Sequence, residues 1–274
     1  MVRRMTDNQL KVMAKKIRMH VLKMTLDSKS SHIGSALSIV EILVTLYFKI
    51  LNTDPTNIDE PDRDKFILSK AHGSTSLYAI LAEKKFFPLD VLKKYYVDEG
   101  ILPGHLVKLS VPGIEFSTGS LGHGLGVGIG MAIANKQSCL KGRIFVLVGD
   151  GECNEGSIWE GVMLAAHLKL DNLTVIVDYN KIQSFGHTNE VINQEPVIDK
   201  WKSFGWDTIE LNGHNFNELI NAFNKKQTNS KVIIAHTIKG KGVSFMENKL
   251  EWHYKSPSES EYKTALQELE IDDQ

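Results

Sequence analysis

Short apolar runs alternate with helical segments through the middle of the chain. The runs are continuous, which is typical of strands that are buried on both faces of a parallel sheet. They cover residues 64–68, 143–148, 173–178, 206–211 and 231–236. Segments with a helical pattern lie at 74–85, 121–136, 155–168, 196–203 and 215–226. This alternation predicts βαβ units and therefore an α/β fold, with a parallel sheet flanked by helices.

The two ends of the chain differ from the middle. Near the N-terminus, apolar residues recur at helical spacing opposite a basic face, at Leu10, Met13, Ile17, Val21 and Met24. They predict an ordinary first helix rather than a transit peptide. The segment 247–274 is polar and acidic, and it predicts an exposed helix or arm. Because no repeat or Pro/Gly-rich linker interrupts the chain, we expect one α/β domain over residues 1–250 and a polar C-terminal arm over 251–274.

Composition and charge narrow the class of protein. Hydrophobic residues make up 42% of the 274 residues and charged residues 24%, which is typical of a globular protein. The formal net charge of −1 gives no reason to expect a nucleic acid or an anionic membrane as a partner. No apolar run is long enough to span a bilayer, and we see no secretory signal. Cys139 and Cys153 make neither a disulfide framework nor a metal cluster, so we expect a cytoplasmic protein.

Polar residues follow two of the predicted strands. A Gly-Asp-Gly sequence at 149–151 ends the second apolar run, and Asn180 follows the third. Ligands of open parallel sheets bind outside the carboxyl ends of the strands. One βαβ unit separates the two positions, so we expect the side chains of Asp150 and Asn180 to converge. Asp150 can supply a carboxylate oxygen, Asn180 an amide oxygen and the turn 180–182 a backbone carbonyl, which together suit a magnesium ion.

The same sheet edge also favours an anion. Gly151 has no Cβ, so its N–H can approach a phosphate closely. The helix that begins near Glu155 directs the positive end of its dipole toward the same place. Other nucleotide sites have no support, because neither G-x-G-x-x-G nor G-x-x-x-x-G-K-[ST] is present. The zinc and serine-hydrolase motifs H-E-x-x-H, paired C-x-x-C and G-x-S-x-G are absent as well. We therefore predict a diphosphate–magnesium site.

Gly-Asp-Gly followed by asparagine one βαβ unit later resembles the thiamine diphosphate binding motif. The surrounding stretch, GDGECNEGSIWEGVMLAAHLKLDNLTVIVDYNKIQSFG, is similar to the corresponding part of transketolases. Three more stretches resemble transketolase segments: SSHIGSALSIVEIL, RDKFILSKAHGSTSLYAIL and EFSTGSLGHGLGVGIGMA. The resemblance covers nearly the whole chain, with the segments in the family's order. It implies the thiamine-diphosphate-binding fold, with thiamine diphosphate and Mg²⁺ (or Ca²⁺ or Mn²⁺) as cofactors.

The resemblance assigns roles to individual residues. It implies three ligands of the metal ion, which are Asp150, Asn180 and the carbonyl of Ile182. It implies that thiamine diphosphate contacts a further set: His72, Gly119, Ser120, Leu121, Gly151, Asn180 and His253. The glycines of 124–130 are equally typical of close helix packing, so they are not included.

Four of the ten histidines lie in segments that resemble transketolases: His32, His72, His105 and His253. The resemblance implies that His32 and His105 face the substrate, while His72 and His253 lie between cofactor and substrate. An imidazole can donate or accept a proton near neutral pH, so it suits proton transfer and hydrogen bonds to sugar hydroxyls. His123 replaces a glutamine of longer transketolases and is left unassigned. The others are interpreted as structural: His20, His167, His187, His214 and His236.

Glu155 and Glu160 lie in the helical segment after Gly-Asp-Gly. The simple interpretation is a capping carboxylate followed by a solvated glutamate. The resemblance instead places Glu155 at a subunit interface, within a network of acids that links active sites. We favour the interface for Glu155, include it among the catalytic candidates, and leave Glu160 open.

The resemblance also indicates what the chain needs from elsewhere. In transketolases the glutamate that activates the aminopyrimidine, the pyrimidine pocket and the phosphate-binding arginines lie in a second domain. Nothing after residue 250 resembles that domain. We therefore expect a separate C-terminal subunit, an α2β2 heterotetramer, and little or no activity from this chain alone. The expected reaction transfers a two-carbon ketol unit from a ketose or ketose phosphate to an aldose, with the particular sugars and the pathway left open.

Three alternatives remain. The alpha chain of a thiamine-dependent 2-oxoacid dehydrogenase shares Gly-Asp-Gly and asparagine, but not the histidine segments. The synthase that joins pyruvate to glyceraldehyde phosphate is normally unsplit. A non-catalytic, regulatory transketolase paralogue is disfavoured because Asp150, Asn180 and the four histidines are intact. Two residues depart from the family: Ile33 stands where proline is common, and Tyr254 stands where glycine is usual and could narrow the pocket or change the acceptor.

Overall fold

The structure, a computed structural model, describes residues 5–271 and is built around a five-stranded parallel sheet. Within the described residues the strand order is β1-β2-β3-β5-β4. The strands are β1 Lys65–Leu68, β2 Ile144–Gly149, β3 Leu173–Tyr179, β4 Asp207–Asn212 and β5 Lys231–His236. Each lies within about one residue of an apolar run, so the predicted α/β fold with a parallel sheet is confirmed.

Helices surround the sheet. The α-helices of the described residues are α1 Asp7–Ser28, α2 Ile33–Leu37, α3 Val40–Thr45, α4 Ser74–Glu83, α5 His123–Gln137, α6 Gly156–His167, α7 Thr188–Val191, α8 Val197–Ser203, α9 Phe216–Asn224 and α10 Glu259–Ile271. Short 3₁₀ turns lie at Ala71–Gly73, Leu89–Lys94, Gly151–Asn154 and Leu250–His253, and a π-helical turn lies at Leu46–Ile50. Every helical segment predicted from the sequence is present.

Strand side chains alternate between two apolar cores, one on each face of the sheet, as strand geometry requires. In β2, Phe145 and Leu147 pack into a first core with α1, α3, α4 and α9. Ile144, Val146 and Val148 pack into a second core with α5, α6 and α8. Because helices cover both faces, the strand is apolar at every position, and this explains the continuous runs in the sequence.

Helix α1 forms as the apolar spacing predicted. Thr6 caps it, since its side chain accepts from the Gln9 N–H while the Gln9 side chain accepts from the Thr6 N–H. Its inward-facing residues are buried in the first core: Leu10, Ile17, Val21 and Met24. Among the described residues, no helix combines the length and the apolarity that crossing a membrane would require.

The C-terminal segment differs from the exposed arm expected from its polar composition. Helix α10 is present, but Ala265 and Leu269 are buried in the first core, as is Trp252 before the helix. These two helix residues and Tyr262 form a narrow apolar stripe that the many charged neighbours conceal in the sequence. The expected exposure is therefore wrong for these residues, whereas the domain boundary at 250 stays a prediction. Residues 1–4 and 272–274 of the two predicted units lie outside the described residues.

The parallel topology brings four loops together. The carboxyl ends of β1, β2, β3 and β5 are neighbours on one edge of the sheet, so the loops after these strands share that edge. The start of α2 is tied to the same region, because the His32 N–H donates to the carbonyl of His253 at 2.8 Å. Segments far apart in the sequence thus meet at one end of the sheet.

Candidate active site

A cavity of about 520 Å³ opens at this edge of the sheet. All but one of the predicted site residues line this cavity. They are His32, His72, His105, Gly119, Leu121, Asp150, Gly151, Glu155, Asn180, Ile182 and His253. The exception is Ser120, which is exposed and does not line the cavity. The structure therefore brings the predicted residues together, while the role of each stays a prediction.

The predicted metal ligands, Asp150, Asn180 and Ile182, all line the cavity. The carboxylate of Asp150 accepts from the N–H groups of Gly151 at 2.6 Å and Lys181 at 2.5 Å. The Asn180 Oδ1 atom accepts from the Ile182 N–H at 3.1 Å, which turns this amide oxygen toward the same turn. The carbonyl of Ile182 accepts from the Nζ atom of Lys239 at 2.9 Å. Three oxygen donors of the types that magnesium prefers are thus held in place by neighbouring backbone and lysine groups.

The electrostatic setting of Asp150 is unusual for a buried carboxylate. Burial first, and then the nearby carboxylate of Asp178, raise the pKa of Asp150 to about 6, although the N–H groups of Gly151 and Lys181 oppose the shift. Within residues 5–271, no cationic side chain forms a salt bridge with Asp150. Lys70 also opposes the shift from nearby, but a buried carboxylate without a salt-bridge partner stays costly unless a cation binds to it. Its environment therefore fits a bound metal ion.

The donor set also limits the kind of metal. Among the described residues, no group of three or more His, Cys, Asp or Glu side chains is arranged to hold a metal ion. A site built from one carboxylate, one amide and one carbonyl leaves most of an octahedron to other oxygens. This is the arrangement in which a hard cation is shared with phosphate groups and water.

Asp178 and Lys70 form a buried ion pair beneath the cavity, which the sequence reasoning missed. Their side chains are 0% and 1% exposed, and the Lys70 Nζ lies 2.5 Å from the Asp178 Oδ2. Asp178 also accepts from Ser38 at 2.7 Å, from the Asn180 Nδ2 at 3.0 Å and from the hydroxyl of Thr237. Burial alone would raise the pKa of Asp178, but Lys70 and these hydrogen bonds lower it. The pair therefore fixes the orientation of Asn180.

Glu152 connects the glycine-rich loop to the Gly-Asp-Gly turn. Its buried carboxylate accepts from the Gly122 N–H at 2.9 Å, from the Gly149 N–H at 3.0 Å and from the hydroxyl of Ser69. Gly122 has φ of 81°, and a Cβ there would lie 2.4 Å from the Ser157 Oγ. Only glycine therefore suits this point of the loop. The contact holds the 119–121 segment against the cavity.

The four predicted histidines form one cluster. The ring of His32 lies 4.9 Å from that of His253, 5.4 Å from His72 and 6.2 Å from His105, measured between centroids. Burial, followed by the positive field of neighbouring His105, Lys239 and Lys70, lowers the pKa of His32 to about 4. Burial also lowers the pKa of His253 to about 3 and that of His72 well below its usual value. These three rings are neutral at pH 7, so each can both donate and accept a hydrogen bond.

Lys239 is a second buried lysine of the cavity that the sequence reasoning missed. Its Nζ lies 3.0 Å from the Nδ1 of His253, in addition to its bond with the carbonyl of Ile182. Burial, and then Lys70, lower its pKa to about 8, so the ammonium form still prevails at pH 7. Both lysines follow the carboxyl ends of strands, β1 and β5. The rule that indicated Asp150 and Asn180 would therefore have found them too.

Glu155 lies at the rim of the cavity and is exposed. It occupies the N-cap position of α6, but its side chain makes no capping hydrogen bond. The capping interpretation is therefore not supported. Glu160 borders a different groove of about 440 Å³ between α5 and α6, together with Val127 and Leu164. The histidines interpreted as structural do not line the main cavity, and neither does His123.

The fold and the cavity together define a class of protein. A parallel α/β sheet presents oxygen donors for a hard cation, two buried lysines and a neutral histidine cluster around one cavity. Such a sheet edge is suited to a diphosphate held through a metal ion. Residues 9–274 match the family described as "Transketolase, thiamine diphosphate binding domain", and the chain belongs to this family.

Individual relatives are similar over almost the whole chain. An apulose-4-phosphate transketolase subunit of Actinobacillus succinogenes is 44% identical over 265 residues, which are 96% of this chain and 96% of that protein. The 6-deoxy-6-sulfo-D-fructose transketolase subunit SqwG of Clostridium sp. (strain MSTE9) is 42% identical over 242 residues, 87% of this chain and 88% of that protein. The solved transketolase of Campylobacter jejuni superimposes with a TM-score of 0.91 at 29% identity. The similarity covers 97% of this chain, which spans only 43% of that longer transketolase.

Proposed function

We propose that this chain is the N-terminal subunit of a split transketolase. It would transfer a two-carbon ketol unit from a ketose or ketose phosphate to an aldose, together with a separate C-terminal subunit that carries the pyrimidine-binding half. The similarity to a protein that is itself named as one subunit of a transketolase, over 96% of both lengths, supports this division. The observation that carries the proposal is the meeting of the four histidines with Asp150 and Asn180 in one cavity.

The proposed cofactor site uses the oxygen donors already described. Asp150, the Asn180 amide oxygen and the Ile182 carbonyl would hold Mg²⁺, or Ca²⁺ or Mn²⁺ in its place. Gly151 and Asn180 would contact the diphosphate of thiamine diphosphate. The buried carboxylate of Asp150, which lacks an ionic partner among the described residues, supports a cation at this place.

The rest of the cofactor would lie along the cavity. Gly119 to Leu121 would pass it with backbone groups, and the ammonium groups of Lys70 and Lys239 would offset the charge of the diphosphate. Thiamine diphosphate, when bound, supplies a nucleophilic carbon that adds to sugar carbonyls. The chain's own contribution is therefore to position the cofactor and to bind the sugar.

The proposed catalytic residues are the four histidines and Glu155. His32 and His105 would hydrogen-bond sugar hydroxyls, while His72 and His253 would lie between sugar and cofactor. Because the pKa values of His32, His72 and His253 are lowered, these rings can accept a proton from a hydroxyl without first losing one. The clustered histidines favour ketol transfer over 2-oxoacid oxidation, and the intact metal ligands disfavour a purely regulatory paralogue.

An α2β2 assembly in the cytoplasm completes the proposal. Met163, Leu164 and Val127 give the α5–α6 side of the chain an apolar surface, and Cβ atoms added at Gly126 and Gly130 would meet no other atom. An open apolar surface of this kind suits a subunit contact. Glu155 borders this side, which fits a role at the interface. The two free cysteines fit a reducing compartment.

The experiment that tests the proposal is a ketol-transfer assay with thiamine diphosphate and Mg²⁺. Xylulose 5-phosphate and ribose 5-phosphate are the first pair, and apulose 4-phosphate and 6-deoxy-6-sulfofructose are added because relatives are named for them. The chain is tested alone and with the protein encoded beside it, and Asp150→Ala serves as the inactive control. We expect ketol transfer only when both proteins are present. Transfer by the isolated chain, or 2-oxoacid decarboxylation by the mixture, would overturn the proposal.

A further inference from the structure

The loop of residues 237–242, called here the Lys239 loop, is anchored at several positions. Thr237 bonds to Asp178, and the Gly240 N–H donates to the carbonyl of Gly34 at 2.9 Å. Lys239 reaches the Ile182 carbonyl and His253 from this loop. Two of the remaining anchors, at Ile238 and Lys241, come from a group of charged side chains that does not line the cavity.

That group consists of Arg18 on α1, Glu41 on α3 and His214 after β4. The Arg18 guanidinium lies 2.7 Å and 2.9 Å from the two carboxylate oxygens of Glu41, and its Nε donates to the carbonyl of Lys241 at 2.8 Å. The Nδ1 of His214 lies 2.9 Å from the Glu41 Oε2. The Ile238 N–H donates to the Nε2 of His214 at 2.8 Å. Three elements thus hold two backbone groups, one on each side of Lys239.

The hydrogen bonds fix the chemical state of each member. Because the His214 Nε2 accepts from a backbone N–H, its proton is on Nδ1 and is donated to Glu41. Arg18 and Glu41 are both buried, so each charge depends on the other for compensation. A Cβ at Gly242 would lie 2.6 Å from the Arg18 Nε, so the loop is shaped to admit the guanidinium.

We propose that Arg18, Glu41 and His214 are positioning residues, which set the place of the Lys239 ammonium relative to the cofactor's diphosphate. They act through the backbone of Ile238 and Lys241 and do not touch the cofactor or the sugar. The inference rests on the proposed function for the diphosphate site, and it changes the interpretation of His214, which the sequence suggested was merely structural. A misplacement of about 1 Å in a site of this kind can cost about 100-fold in rate.

The test compares Glu41→Gln with a matched control, Asp64→Asn. Asp64 is also a buried carboxylate with an arginine partner, Arg143 at 2.6 Å, but it lies before β1, at the opposite edge of the sheet. Hydrogen–deuterium exchange of the Ile238 amide is measured on the full chain without cofactor. Affinity for thiamine diphosphate with Mg²⁺ is measured by calorimetry on the chain with its partner subunit.

We expect both variants to lower Tm, but only Glu41→Gln to speed exchange at Ile238 and to weaken cofactor affinity about tenfold or more. His214→Leu should have the same effects with a smaller loss of stability. His214→Gln should restore part of both, since its amide oxygen can accept from Ile238. Equal loss of affinity in Asp64→Asn, or unchanged Ile238 exchange in both Glu41→Gln and His214→Leu, would overturn the inference. If the unmodified complex binds no thiamine diphosphate, the proposed function fails, and the exchange result still decides whether Arg18, Glu41 and His214 position the Lys239 loop.

Discussion

Breaking the buried Lys70–Asp178 ion pair should lower the free energy of unfolding strongly. The change to make is Asp178→Asn, which keeps the size of the side chain but removes its charge. Lys70 is then left in an almost fully buried position without its salt-bridge partner, since its side chain is 1% exposed. The new amide also replaces one acceptor oxygen by a donor, at a place where four neighbouring groups donate.

The magnitude follows from burial. Removing one partner of a buried ion pair costs about 3–5 kcal/mol, because the remaining charge is uncompensated. This is a large part of the roughly 5–15 kcal/mol that stabilises a typical protein. For a chain of this size, about 1 kcal/mol shifts Tm by roughly 2–4 °C, so we expect Tm to fall on the order of 10 °C.

The assay is urea unfolding followed by circular dichroism, arranged as a double-mutant cycle with Lys70→Met. The double variant should lose at least about 1 kcal/mol less than the sum of the single losses, because it leaves no unpaired charge. The exposed pair Lys136–Asp171, with side chains 42% and 52% exposed, supplies the control. Asp171→Asn should cost less than about 1 kcal/mol. If Asp178→Asn costs no more than this control, the reasoning from burial is refuted.

Three further predictions concern the glycine loop, pH and the acceptor. Gly122→Ala should destabilise the chain by about 1–3 kcal/mol, because Gly122 has a positive φ and the Ser157 side chain lies close to it. Gly126→Ala, at a position of helix α5 where a Cβ meets no other atom, should be neutral or stabilising. Similar Tm values for the two variants would contradict this prediction. Burial lowers the pKa of His32 in the folded chain to about 4. Between about pH 6.5 and pH 4 the unfolded chain therefore binds more protons than the folded chain. The free energy of unfolding should decrease as the pH falls through this window. His32→Gln should flatten that decrease in urea titrations, and an unchanged slope would count against it. Tyr254 lines the cavity, is 61% exposed, and lies 4.7 Å from His253 between ring centroids. Tyr254→Gly should therefore raise kcat/KM for ribose 5-phosphate relative to glyceraldehyde 3-phosphate. An unchanged ratio of the two kcat/KM values would show that Tyr254 does not determine the acceptor.

The fold could be predicted because its strands are buried on both faces. Continuous apolar runs predicted the five strands of the sheet within about one residue, and the parallel direction of the strands followed from the helices between them. The location of the site followed from the rule for carboxyl ends of strands, which places Asp150 beside Asn180. The C-terminal stripe of Ala265 and Leu269 was missed because two apolar residues among many charges give a weak periodic signal.

The supporting contacts of the site could not be predicted from local sequence. Lys70 and Asp178 are 108 residues apart, and neither residue carries a motif that indicates the other. Glu152 directly follows Gly-Asp-Gly and was given no role from the sequence, yet its carboxylate accepts from the Gly122 N–H on the glycine-rich loop. Partners of this kind are set by tertiary packing, because a buried charge is stable only where the whole fold delivers its counterpart. The strand-end rule would have located Lys70 itself, but the pairing of Lys70 with Asp178 and of Glu152 with Gly122 could be known only from the fold.

The charges beneath the cavity predict that metal and cofactor bind together. Asp150, Glu152, Asp178, Lys70 and Lys239 are all buried there, so three negative charges face two positive ones. A divalent cation alone would leave this edge with a small positive charge, and a diphosphate alone would leave it strongly negative, which is costly among buried groups. Each should therefore raise the affinity of the other by at least about tenfold, and linkage requires the two factors to be equal. Calorimetric titration of Mg²⁺ with and without thiamine diphosphate, and the reverse, measures both factors on the assembled subunits. Affinities that do not depend on the second component would show that the buried lysines and carboxylates do not set the charge balance of the site.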